Sequence, residues 1–118
     1  NKGFIGYDDL VDKLYLNKPV YWDSVFVDWL KAVKKAIWEM YYYDGTRIYD
    51  KSISRYDVVK KLQDLNIFII QSAILRVIDY SKVYKINKPV GFIKTALFNE
   101  IDEYQARIHA QVNYDLNQ

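Results

Sequence analysis

Ile67-Phe68-Ile69-Ile70-Gln71-Ser72-Ala73-Ile74-Leu75-Arg76-Val77-Ile78-Asp79-Tyr80 is the stretch on which the fold turns. Nearly every position is apolar, and Ser72, Arg76 and Asp79 are spaced by three and four. On a helical period those three share one narrow strip, so the segment reads as an α-helix that is apolar round most of its circumference. Such a helix belongs at the centre of a bundle, and Asn66 stands where its N-cap should be.

Working outward, Ser54 stands three residues before Asp57, a capping-box-like start for a helix running to about Leu65. Its inward positions are Tyr56, Val59, Leu62 and Leu65. Trp22, Phe26, Trp29, Val33, Ala36, Ile37 and Met40 trace one helical stripe over residues 22–41, which Asp44-Gly45 closes as a turn. On the other side, Pro89 suits the first turn of a long last helix striped by Ile93, Leu97, Ile101, Tyr104, Ile108 and Val112. A shorter amphipathic helix runs from Tyr7 to Leu14 or Leu16. Arg47-Ile48-Tyr49 alternates too briefly to establish a strand. The expected fold is all-α: a compact bundle of about five helices, with a buried central helix at about 67–80 and a long C-terminal helix at about 89–112. Asn-Lys-Pro-Val occurs at 17–20 and 87–90, but the residues that follow do not align, so this is reused turn chemistry and not a repeat.

The 118 residues form one domain, 1–118, long enough to close a core without staples. No cysteine is present, which excludes a disulfide framework, thiol catalysis and thiolate metal sites. A single histidine, His109, excludes the usual zinc sites. The longest apolar run, Ile67 to Ile70, is far short of the roughly 18 residues of a bilayer span. A cytoplasmic setting without membrane contact is the expectation. The opening Asn1-Lys2-Gly3 has neither an initiator methionine nor a signal-peptide core, so the chain reads as excised from the C-terminal part of a longer protein.

Groups that would make an enzyme are not legible: no nucleophile stands with a base, and no glycine loop could cradle phosphate. Glu100, Asp102 and Glu103 read as a solvated acidic face, Ser52 and Ser54 have no histidine nearby in sequence, and His109 reads as a surface residue. The expectation is a chain without catalysis, metal or cofactor.

Charge is more informative by segment, at −2 for residues 1–30, +4 for 31–61, +3 for 62–94 and −3 for 95–118. In the basic middle, Tyr80, Lys82, Tyr84, Lys85 and Lys88 interleave rings and ammonium groups ahead of a helix N-terminus, with Lys94 just inside it. That composition suits a nucleic-acid backbone, with a tyrosine to stack on a base. The competing reading is a solvated loop with both tyrosines turned inward. A second candidate surface comes from the first long helix, where Trp38 lies opposite the core stripe on a face shared with Val27, Lys31, Lys34 and Tyr42. Either another helix covers that face or a docking partner does. The aromatic content of 17%, twelve of those residues tyrosine, fits a domain with contact surfaces.

From Arg47 to Leu116 the order of elements carries a resemblance. A short Arg-Ile-Tyr piece is followed by Val58-Val59-Lys60, then Ala73-Ile74-Leu75-Arg76-Val77-Ile78, then Ile86-Asn87-Lys88-Pro89-Val90-Gly91-Phe92-Ile93-Lys94-Thr95-Ala96-Leu97-Phe98-Asn99, with Val112-Asn113-Tyr114-Asp115 at the close. This resembles the C-terminal domain of RepA-type replication initiators of plasmids and mobile elements in low-G+C Gram-positive bacteria. Ile5-Gly6-Tyr7-Asp8 also fits the way that domain begins. The resemblance implies a DnaD-like helical domain that recruits host primase or helicase, with DNA contact and self-association as further expectations. DnaD-like domains carry a Tyr-x-x-x-Ile-x-x-x-Trp pattern on their closing helix. The matching positions here are Phe92, Ala96 and Glu100, so a carboxylate that would repel phosphate stands in place of the tryptophan.

Overall fold

Both expected N-caps are in place. The Ser54 hydroxyl accepts from the Asp57 N–H at 3.2 Å and starts α4 (Arg55–Leu62), and Asn66 Oδ1 accepts from the Ile69 N–H at 2.8 Å and starts α5 (Ile67–Ser81). The computed structural model describes residues 3–118. Before these helices come α1 (Tyr7–Lys13), a 3-10 turn (Pro19–Tyr21), α2 (Ser24–Val27) and α3 (Leu30–Tyr42); α6 (Pro89–Leu116) follows. Between α3 and α4 lies an antiparallel hairpin of β1 (Gly45–Ile48) and β2 (Lys51–Ser54). The fold is therefore mostly helical and not all-α, and the described residues form six α-helices where about five were expected.

The hairpin packs against α6 and α4. Thr46 and Ile48 face inward and Arg47 outward, the period-2 alternation of a strand. Gly45 is required by a close approach, because a Cβ there would lie 3.0 Å from the Ile53 carbonyl oxygen on the paired strand. In the loop, Tyr49 takes a φ of +55°, a left-handed conformation uncommon for a residue with a side chain.

Three further expectations need correction. First, α5 is not the enclosed centre. Ile69, Ile70, Ala73, Ile74 and Val77 are buried along one face, but Phe68 and Leu75 are 61% and 46% exposed on the other. The hub is α6, which packs on α5, α3, α4 and β1. Second, the stripe over residues 22–41 is not one helix: Trp22 precedes α2, Phe26 lies on α2, Trp29 caps α3, and Val33 to Met40 lie on α3. The Trp29 N–H donates back to the Phe26 carbonyl, an i to i+3 bond that tightens the chain between α2 and α3. Third, Val58 rather than Tyr56 faces the core from α4. Tyr56 is exposed and meets the Phe4 ring at 5.5 Å between centroids.

The long last helix is confirmed, and it continues to Leu116. Every residue from Gln105 onward is exposed, so the apolar stripe leaves the core at Tyr104 and Ile108 and Val112 stand in solvent. No helix among the described residues is long and apolar enough to cross a membrane.

Candidate functional site

The outer face of α3 is built by the helix period itself. Val33, Ala36, Ile37 and Met40 are fully buried, which turns Trp38 to the opposite side, where it is 44% exposed. Its ring meets Tyr42 at 5.1 Å and Tyr43 at 6.2 Å, giving a contiguous aromatic surface at the C-terminal end of the helix. No second helix covers it among the described residues. Lys31 is exposed on the same helix, whereas the Lys34 ammonium donates to Asn17 Oδ1 at 2.6 Å.

Lys94 does not join the other lysines assigned to nucleic acid. Its ammonium pairs with Glu39 of α3 at 2.6 Å, with both side chains 13% exposed, and sits 5.0 Å from the centre of the Tyr43 ring. It therefore ties α6 to α3 beneath the aromatic face. Lys82, Lys85 and Lys88 are exposed, with Lys82 3.5 Å from Asp79. Tyr80 and Tyr84 are not turned into the core. Their rings meet each other at 4.8 Å, and Tyr80 meets Phe92 at 4.6 Å, forming an exposed stack where α5 runs into the loop before α6.

That stack opens on a groove of about 1040 Å³ between α5 and α6, with Tyr49 of the hairpin loop on its wall. The Tyr49 hydroxyl accepts from the Asn99 side-chain amide at 2.8 Å, which ties the hairpin loop to α6. Phe92, Ala96 and Glu100 all line this groove. Glu100 is not on a solvated acidic face, being only 1% exposed. Arg76 Nε of α5 donates to it at 2.6 Å, and Arg107, two turns further along α6, donates to its other oxygen. The carboxylate is thus neutralised within the fold, which the spacing of acids along one helix could not reveal because one of its partners lies on α5.

No family model matches this chain, and neither a curated protein nor a solved structure is found to match it.

Sequence reading also missed a polar clamp at the N-terminal end. The Ile5 N–H donates to Gln63 Oε1 at 3.0 Å, and the Tyr41 hydroxyl donates to the Ile5 carbonyl at 2.9 Å while Gln63 Nε2 donates to the same hydroxyl at 3.0 Å. Burial pushes the Tyr41 phenol above its ordinary value, partly offset by the Gln63 hydrogen bond. Tyr7 is raised as well, first by burial and then by the charge of Asp8. Among the described residues no three His, Asp or Glu side chains gather as metal ligands would.

Proposed function

We propose that the chain is a non-enzymatic helical module of a plasmid-type replication initiator, and that the outer face of α3 recruits a host primase or helicase. The RepA-like order of segments supplies the class of partner. The observation that carries the docking surface is Trp38, a large ring left half in water opposite a fully buried stripe and continued by Tyr42 and Tyr43. A rigid aromatic surface beside the exposed Lys31 has the composition of an interface hot spot, and the lysine can steer an acidic partner.

Trp38→Ala tests this directly. It should leave the thermal midpoint nearly unchanged and weaken primase or helicase binding by about 2 kcal/mol or more. A loss of stability of about 3 to 5 kcal/mol, the cost of truncating a core tryptophan, would end the docking reading. So would unchanged binding.

A second reading, a DNA-contacting accessory domain, is favoured by the exposure of Lys82, Lys85 and Lys88. Phosphate contacts make affinity fall steeply with salt, whereas an apolar docking face does not. Salt dependence of any measured binding therefore separates the two.

A further inference from the structure

We propose that the exposed half of α6 is a self-association surface, on which two copies of this chain pair antiparallel about a two-fold axis near Gln111. The proposal rests on α6 alone and does not depend on the replication reading.

The stripe that packs α6 into the core does not stop where the core stops. Ile93, Leu97 and Ile101 are buried, and Tyr104, Ile108, Val112 and Leu116 continue the row at spacings of three and four. Ile108 and Val112 are half exposed and Leu116 more so, with nothing packed over them among the described residues. An apolar row of this kind on a protruding helix is the seam of a helix pair that lacks its second helix.

Charge identifies the second helix. Between residues 105 and 118 the charged side chains are Arg107 and Asp115, with His109 on the other flank of the row. Arg107 and Asp115 lie on the same flank, about two turns apart. A two-fold antiparallel pair brings equivalent flanks together, so Arg107 of each copy meets Asp115 of the other, and the contact is made twice. A parallel pair would instead bring Asp115 close to its own equivalent. Both groups are available. Arg107 shares Glu100 with Arg76, so two guanidinium groups face one buried carboxylate, and the Arg107 side chain is half exposed. Asp115 accepts only the Gln111 amide, at 3.0 Å, and forms no ion pair among the described residues. Glu103 lies farther round the helix from the row than Arg107 does.

The apolar residues give the same register independently. The exposed row from Tyr104 to Leu116 has its midpoint level with Ala110, and the Arg107 and Asp115 pair has its midpoint at Gln111, one residue or about 1.5 Å along the axis. Sequence pattern and charge therefore agree on one self-complementary alignment, which a partner of different sequence has no reason to share. Four apolar side chains from each copy cover less than the roughly 800 Å² per partner of a stable interface, so the dimer should be weak, with a dissociation constant above about 10 μM.

Sedimentation equilibrium from about 5 to 500 μM should show a monomer giving way to a dimer. Asp115→Lys, which opposes two cations across the axis, should raise the dissociation constant about fivefold or more, and Ile108→Asn/Val112→Asn should leave a monomer throughout. All three positions are exposed, so thermal melts should find both variants folded. Because the chain has no cysteine, a single introduced thiol reads the alignment. Gln111→Cys at the axis should oxidise readily to a disulfide-linked dimer, whereas Leu116→Cys, whose equivalents would lie more than about 15 Å apart, should not. A monomer at every concentration, a dimer indifferent to either charge or apolar variant, or cross-linking at Leu116→Cys as fast as at Gln111→Cys would overturn the proposal.

Discussion

Glu100 is a charge that the fold has taken out of water and surrounded with guanidinium groups. Removing one partner of a buried pair is normally expensive because the other is stranded. Here, however, the side chains of Arg76 and Arg107 are 59% and 46% exposed and can rehydrate when the carboxylate is gone. Glu100→Ala should therefore cost about 1 to 3 kcal/mol, most of it from the void and the lost bonds. Glu100→Leu fills the same space with apolar atoms and should stay within about 1 kcal/mol of the parent. Urea unfolding of the two variants decides it: equal losses would mean that the ion pairs, and not the filling of the site, set the stability there.

Among the elements, α5 was the most prominent in sequence, and only its outer side was misjudged. Its period, its Asn66 cap and its buried face at Ile70 and Ile74 were legible, because all three are local. Its exposed side was not, since apolar residues on a helix look the same whether a neighbour or water lies beyond them. Ile74→Ala should cost roughly 2 to 5 kcal/mol. Leu75→Ala, one residue on but half in solvent, should stay within about 0.5 kcal/mol, as surface changes do. A chemical melt of both variants checks the two faces, and a large loss at Leu75 would mean that its side is covered after all. The hairpin escaped for a different reason. Its strands are four residues each, and their inward pair, Thr46 and Ile48, gains meaning only from packing on α6 and α4. The site residues divide in the same way. Trp38 opposite its stripe was readable from the helix wheel, while the capture of Lys94 by Glu39 and of Glu100 by Arg76 depends on contacts between helices.

For the molecule as a whole, the N-terminal clamp predicts a response to alkali. Folding favours the neutral phenols of Tyr7 and Tyr41, whose values lie above the ordinary 10.0. The unfolded chain would ionise them near that ordinary value, so their contribution is whole below about pH 10 and is lost as pH rises through the folded values. Melts from about pH 8 to 12 should show a plateau and then a decline, shallower in Tyr41→Phe. A decline of the same slope in that variant would remove Tyr41 from the account.

The radius of gyration, 14.8 Å, exceeds the roughly 13.5 Å expected for a chain of this length. The uncovered end of α6 is one visible reason. That end needs no neighbour to stay helical, because its buried first half has already met the cost of nucleation and each added residue only propagates the coil. From Ile101, the last buried residue, to Leu116 the rise is on the order of 22 Å. A fluorophore or fusion attached there would be carried on a spacer of known length, clear of both the Trp38 face and the α5–α6 groove. Paired with an acceptor dye carried by a ligand, it would turn the chain into a ruler, with occupancy reported by energy transfer and those two surfaces left unlabelled.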